Sequence, residues 1–393
     1  MKPVNDVIGG LGTTIFTVMS ALSVEHGAIN LGQGFPDEDG PADVREAAAR
    51  AAIDGPNQYP PMMGLPALRQ AVAAHNRRFY GLDVDWQSQV LVTSGTTEAL
   101  TASLLALLRP GDEVVLIEPV YDSYLPIVQL AGAVPRMVRL RPPQSPIDQW
   151  SLPEAELRAA FGPKTKLLVM NSPMNPTGKV FSGAELALIA ELAIQHDAYV
   201  ICDEVYEHLV FSGGRHVPLM TLPGMAERTI RIGSAGKTFS LTGWKVGYLT
   251  GAADLIGAVA KAHQFITFTT PPSLQGAVAH GLGKEDAYFD GLASAMERKR
   301  DRLVAGLRDV GFDVLPSQGT YFANVDFRPL WNEGTDVDFA MKLVREARVG
   351  SIPVSAFYPE NPPTHLVRFC FCKRDAVLDE AIARLRAFAG KNG

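Results

Sequence analysis

An α/β fold, built on a mostly parallel sheet with helices on both faces, is what this sequence predicts. Three observations predict it. Short apolar, β-rich runs alternate with helical patterns through most of the chain, the signature of a sheet whose strands are joined by crossover helices. Small and polar residues gather just after the C-terminal ends of those runs, where open parallel sheets bind ligands. At 393 residues, 47% hydrophobic and 20% charged, the chain is long enough for a sizeable core and for two or three domains.

The stretch from Val7 to Val24 carries no charge and follows Lys2. Gly9, Gly10 and Gly12 dilute it, and Asp6 stands where a signal peptide would be basic. Ile15, Phe16, Met19 and Leu22 lie at helical spacing, so the expectation is a helix, neither a leader nor a membrane span. Strands follow at Gln89–Thr93, Glu113–Ile117, Lys166–Met170, Ala198–Cys202, Thr229–Ile232 and Val246–Thr250. Helices are expected over Glu98–Leu108, Tyr124–Leu130 and Gly183–His196. The proline-rich stretch Arg141–Pro146 reads as a loop.

From about residue 285 the pattern changes to a long charged helix. Strands at Phe312–Leu315, Thr320–Val325 and Leu366–Phe371 follow, with helices near Val337–Arg348 and Ala376–Phe388. This divides the chain into a large domain, 46–284, and a small C-terminal α/β domain, 285–393, with the N-terminal segment, 1–45, packing against the latter. The charge run Arg298–Arg302 is expected to be a solvated helix face. No internal repeat or low-complexity tract interrupts the pattern.

Thirty-six basic against 42 acidic residues leave a net charge of −6, which argues against nucleic acid or an anionic membrane as the main partner. The three cysteines, Cys202, Cys370 and Cys372, form no C-x-x-C pair. Cys370-x-Cys372 in a strand puts both thiols on one face. All three read as reduced and mostly buried, hence a cytoplasmic protein. The eight histidines show no zinc-binding spacing, so no metal is expected.

Five strand ends deliver chemistry to one rim: Ser94-Gly95-Thr96-Thr97, Glu118-Pro119-Val120-Tyr121, Asn171 to Gly178, Asp203-Glu204-Val205-Tyr206, and Gly233 to Thr238. Gly236-Lys237-Thr238 suggests the end of a nucleotide-binding P-loop, but the glycine that loop needs five residues earlier is Arg231 here. The acidic strand also precedes the lysine, reversing the usual order. The competing reading is a pyridoxal phosphate site. Asn30–Pro36 (NLGQGFP), Asn57–Tyr59 (NQY), Ser172–Gly178 (SPMNPTG), Asp203–Tyr206 (DEVY), Ser234–Gly247 (SAGKTFSLTGWKVG) and Val367–Phe371 (VRFCF) stand in one family's order. On these motifs the chain resembles the fold-type I, class I/II aminotransferases, and among them the branches that hold kynurenine, methionine and N-succinyldiaminopimelate aminotransferases.

The resemblance implies a seven-stranded sheet in the large domain, a pyridoxal 5'-phosphate cofactor, and transfer of an α-amino group from an L-amino acid to a 2-oxo acid. Lys237 would be the amine that bonds the cofactor aldehyde and moves a proton at the substrate Cα, roles that suit a partly desolvated lysine. Asp203 would keep the pyridine nitrogen protonated; its bland alternative is a helix N-cap. Tyr206 and Asn175 would hold the ring hydroxyl, and Tyr121 would stack on the ring. The phosphate would lie against Gly95, Thr96 and Thr97 at a helix start, with Ser234 and Lys245; simple capping is the alternative for the threonines. Tyr59 would reach the phosphate of a neighbouring subunit, which implies a homodimer with shared active sites.

Arg368 stands in an otherwise apolar strand, where an unpaired guanidinium is costly. With Asn175 and the backbone at Gly34 it would grip the substrate α-carboxylate; a structural ion pair is the alternative. Phe16 would line the side-chain pocket. Two other functions fit the same residues. One is a C–S β-lyase on the same fold. The other is a non-catalytic cofactor-binding regulator, for which residues 1–45 are too short and too little basic to add a DNA-binding domain. Where the kynurenine branch has an aromatic and a histidine, this chain reads Phe268-Thr269. Neutral, sulfur-containing or aromatic amino acids and N-succinyldiaminopimelate are the expected donors.

Overall fold

Two sheets and a two-stranded ladder carry the fold in the computed structural model, which describes residues 2–145 and 148–392. The strands are β1 (Ile29–Asn30), β2 (Val90–Thr93), β3 (Glu113–Glu118), β4 (Val134–Arg139), β5 (Thr165–Asn171), β6 (Tyr199–Asp203), β7 (Thr229–Ser234), β8 (Gly247–Gly251), β9 (Asp313–Val314), β10 (Phe322–Asp326), β11 (Val349–Gly350), β12 (Ile352–Pro353) and β13 (Leu366–Cys370).

The large sheet has seven strands in the order β2-β8-β7-β6-β5-β3-β4. Among them β8 alone runs antiparallel to its neighbours. Strands β2, β7 and β8 are buried along their whole length, as a sheet covered on both faces requires. The helices Thr96–Leu107 and Ala253–Ile266 lie against each other, with Leu100, Leu104, Ile256 and Val259 joining Ile201 and Ile232 in one core cluster. Within the expected loop Arg141–Pro146, Pro146 lies outside the described residues, and Arg141 forms a bridge with Ser151.

A four-stranded antiparallel sheet, β12-β13-β10-β9, occupies the C-terminal part. The 25-residue helix Asp286–Val310 leads into it and ends at Gly311, where φ is 111°, a conformation glycine adopts without a Cβ penalty. The helix Asp375–Asn392 packs back on that long helix. Early in the chain, the helix Ile15–Glu25 buries Met19, and β1 pairs in parallel with β11. The N-terminal residues are thereby held beside the smaller sheet.

Two features depart from the sequence expectation. Strand β4 is an edge strand with half-exposed residues and Pro135 inside it, so it shows neither a solid apolar run nor clean alternation. The charge run Arg298–Arg302 is not wholly solvated. Lys299 bonds Glu38 at 2.5 Å with its own side chain 11% exposed. Arg300 lies over the Phe211 ring and donates to the Ser317 carbonyl. Their long aliphatic stems cover apolar surface while the charged heads find partners.

Candidate active site

A cavity of about 380 Å³ opens at the carboxyl ends of β2, β5, β6 and β7, walled on its other sides by the Gln33–Phe35 loop and by β13. Every site residue singled out from the sequence lines it except Tyr59, which is 82% exposed and makes edge contact with Phe268.

Each strand end sets one group. Strand β2 hands over to the helix Thr96–Leu107 through Gly95, whose φ is 79° and whose absent Cβ would stand 3.2 Å from Lys245 Cε. No side chain caps this helix, so the Thr96 and Thr97 hydroxyls are not spent on its first N–H groups. A glycine N-cap, free amides and an adjacent ammonium form a cradle for an anion.

Strand β6 ends at Asp203, buried, and no helix starts there for it to cap. The Tyr124 hydroxyl donates to its Oδ2 at 2.6 Å, while its Oδ1 has no partner among the described residues. Burial raises the carboxyl's pKa to about 6, against the opposing pull of the Tyr124 bond. From β5, the Asn171 amide donates to the Asp203 carbonyl at 2.7 Å and accepts from the Asn175 N–H at 2.7 Å. This fixes Asn175 beside Arg368, whose Nη1 donates to Asn175 Oδ1 at 2.6 Å and whose Nη2 donates to the Gly32 carbonyl at 2.8 Å.

The Arg368 guanidinium, 1% exposed, stands 3.9 Å from the Phe322 ring centre, and its Nε has no partner among the described residues. No carboxylate among the described residues pairs with it, which removes the structural ion pair as its explanation. Burial brings its pKa down to about 10. A side chain at position 34 would collide with Phe322, the nearest ring atom lying 2.6 Å from the would-be Cβ, so glycine alone lets the loop close here.

Lys237 sits in the short helix Ala235–Thr238 after β7, with its Nζ 3.4 Å from the Gly34 carbonyl and near the rings of Tyr206 and Tyr321. Burial lowers its pKa, a shift partly offset by Cys372 and Asp203 and reinforced by Arg368. Tyr321 donates to the same Gly34 carbonyl at 2.7 Å. Tyr121 and Tyr206 have pKa values raised by burial.

Pyridoxal phosphate fits this donor set. Asp203 Oδ1 is an orphaned carboxylate oxygen suited to a ring N–H, the Gly95 turn with Lys245 suits a phosphate, and Lys237 is a desolvated amine. Sequence reasoning missed Gln33, Asp122, Tyr124, Asn171 and Tyr321. The first two line the cavity: Gln33 stands inside the NLGQGFP motif, where only Gly34 was singled out, and Asp122 follows Tyr121 in a loop without a motif of its own. Tyr124 opens a helix that reads as scaffold, and Asn171 sat in a strand-end segment where only Asn175 was singled out.

The sequence profile of the aminotransferase class I and II family matches residues 26–385. A probable N-succinyldiaminopimelate aminotransferase of Mycobacterium tuberculosis is 49% identical over 386 residues, 96% of each chain. The methionine aminotransferase of Escherichia coli is 41% identical over 376 residues, again 96% of each. The solved structure of N-succinyldiaminopimelate aminotransferase from M. tuberculosis superposes with a TM-score of 0.94, covering 98% of this chain and 100% of that one. No helix among the described residues is long and apolar enough to cross a membrane.

Proposed function

Since the chain belongs to the class I and II aminotransferases, an enzyme family dependent on pyridoxal phosphate that moves the amino group of an amino acid to a 2-oxo acid, we propose which residues carry that reaction here and which donors it takes. The cofactor, when bound, supplies the electron sink that makes the substrate Cα–H acidic.

Lys237 is the amine that holds the cofactor and then carries the proton at the substrate Cα. Burial lowers its pKa, in the direction that favours the free base this step needs. Asp203 holds the ring nitrogen through Oδ1, and Tyr124 keeps that carboxylate turned the right way. Tyr206 and Asn175 hold the ring hydroxyl, and Tyr121 covers the ring face. Gly95, Thr96, Thr97, Ser234 and Lys245 bind the phosphate, joined by Tyr59 from the second subunit of a homodimer. Three free, buried thiols support a reducing, cytoplasmic setting.

The observation that carries the substrate reading is the buried, carboxylate-free Arg368 opening on the same cavity as Lys237. It grips the α-carboxylate, with Asn175 and the Gly34 backbone beside it. The cations lining the cavity are Lys237, Lys245 and Arg368, all assigned, and the rings of Phe16, Phe35 and Phe322 line it together with the neutral Gln33 and the acidic Asp122. A donor side chain there meets rings and no second arginine. The donors are therefore neutral and apolar: methionine and the aromatic amino acids. A second reading, N-succinyldiaminopimelate, is supported by the 49% identity to the mycobacterial protein.

The test is the cofactor's visible absorbance, followed as single amino acids are added to the purified holoenzyme. Methionine and phenylalanine should convert it fastest. Faster conversion by N-succinyldiaminopimelate would sink the apolar reading in favour of the second.

A further inference from the structure

Cys370 ends β13 two residues after Arg368, on the same face of the strand. Cys372 follows just beyond the strand, and the two Sγ atoms stand 3.1 Å apart, both thiols buried. Neither touches substrate in the reaction assigned above, yet both lie within electrostatic reach of the Lys237 amine. We propose that Cys370 and Cys372 form a reversible dithiol–disulfide site, closed by a small peroxide oxidant and opened by cellular thiols, that turns the enzyme down by displacing the Arg368 strand end.

The geometry supplies the encounter, since the sulfurs need to approach by only about 1 Å more to reach bonding distance. It also supplies an order of events. Burial pushes both thiols up, but the hydrogen bond from Cys372, with the charges of Lys373 and Arg368, brings Cys370 below the ordinary thiol range, whereas Cys372 stays high. Cys370 is therefore the thiolate that attacks. Its sulfur bonds one peroxide oxygen, the O–O bond breaks, and the departing hydroxide takes up a proton to leave as water. The Cys372 sulfur then displaces the oxygen from Cys370. An S–S bond forms, the S–O bond breaks, and the second water carries off the Cys372 proton. Two sulfurs lose two electrons in total, and one peroxide gains them.

The consequence follows from what the strand end holds. Cys370 N–H donates to the Leu31 carbonyl at 2.7 Å, and Phe371 N–H donates to the Tyr321 carbonyl at 2.9 Å. Tyr321 in turn fixes the Gly34 carbonyl that faces Lys237. Drawing the sulfurs together shifts these bonds and Arg368 with them. Displacement of a substrate-orienting group on the ångström scale costs up to two orders of magnitude in rate, so a turnover loss of about tenfold is expected.

The experiment treats the wild-type holoenzyme with hydrogen peroxide, unfolds it, alkylates free thiols and maps the peptides by mass. Cys202, buried in β6 with no thiol partner among the described residues, serves as the internal reference. Expected is an unalkylated Cys370–Cys372 peptide lighter by two hydrogens, alkylated Cys202, a fall in turnover of about tenfold, and recovery of both signals with dithiothreitol. Cys370→Ala and Cys372→Ala should keep their turnover through the same treatment. The proposal is overturned if both cysteines still alkylate after treatment, if they gain oxygen that dithiothreitol cannot remove, or if the disulfide forms while turnover stays unchanged. The wild-type peptide map decides the sulfur chemistry even if a variant fails to fold, and it does so whether or not Arg368 binds the substrate carboxylate.

Discussion

Arg368 shows how much one buried charge depends on its ligand. Its guanidinium is held by two neutral oxygens and faced by rings, with no carboxylate among the described residues paired to it. Replacing it with alanine removes a charge-assisted, two-pronged contact worth about 3 kcal/mol, so kcat/KM should fall by roughly 10²-fold for the amino donor and the oxo acid alike. Steady-state kinetics in both directions checks this, and a loss confined to one substrate would contradict a shared α-carboxylate site. Asp203 gives a prediction in pH. Its folded pKa, near 6, lies above the ordinary 3.8, so the folded cofactor-free protein holds a proton that the unfolded chain has released. Stability from this group is full below pH 4 and is lost as pH rises toward 6, by about 3 kcal/mol in all. Buried His75 and half-buried His208, whose pKa values are lowered to about 3 and 4, act in the opposite sense over the same range. The difference between wild type and Asp203→Asn isolates the aspartate: thermal melts of the apoenzymes should diverge between pH 4 and 6, the variant losing less stability as pH rises. Parallel curves would mean that Asp203 is already ionised.

The elements bring these residues together by a simple device: β2, β3, β5, β6 and β7 stop at the rim, and the last residue of each or the turn after it faces the cavity. That much is written in the chain, since an apolar run followed by Ser-Gly-Thr-Thr or Asp-Glu-Val-Tyr marks both the strand and its working end. The Gly95 turn is the sharpest case. Because its φ of 79° is left-handed and a Cβ would press on Lys245, Gly95→Ala should strain the cradle and push the lysine aside. Cofactor affinity, measured by fluorescence titration of the apoenzyme, is expected to fall at least tenfold, about 1.4 kcal/mol, while the melting temperature of the apoenzyme changes little. Unchanged affinity would remove this turn from the phosphate site. What stays illegible in the sequence is contact between distant segments. Strand β4 hides because an edge strand needs no apolar pattern. Tyr124 hides because its hydroxyl matters only once β6 lies beside its helix. Tyr321 reaches Gly34 across 287 residues of sequence. Strand periodicity reports which face is buried; it says nothing of which polar atom a neighbour brings.

At the scale of the whole molecule, one region of the surface is unlike the rest. Tyr59 and Phe265 are more than four-fifths exposed, with Ile266 and Phe268 partly so, and the Tyr59 and Phe268 rings meet edge to face at 5.4 Å. Exposed aromatics gathered in this way are what a protein contact surface would present. The two segments that carry them are not loose. His263 bonds the Met62 carbonyl at 3.1 Å, and Gln275 accepts from the Leu65 N–H at 2.7 Å. On its other side His263 bonds Glu98, which also accepts from the Ser94 N–H beside the Gly95 turn. The exposed patch and the phosphate cradle are thus joined by one continuous set of hydrogen bonds. A second copy pressing on the patch would steady the cradle, and Tyr59 would cross to the neighbour's phosphate. Phe265→Glu places a charge in the middle of that contact. Sedimentation should show a dimer for the wild type and a monomer for the variant, and the monomer should bind the cofactor at least tenfold more weakly. Tyr59→Phe should stay dimeric while losing part of the same affinity, because it removes one hydroxyl and leaves the apolar contact whole. A variant monomer that binds cofactor as tightly as the wild-type dimer would show that each chain completes its own site, and Tyr59 would then be a surface residue with no part in the chemistry.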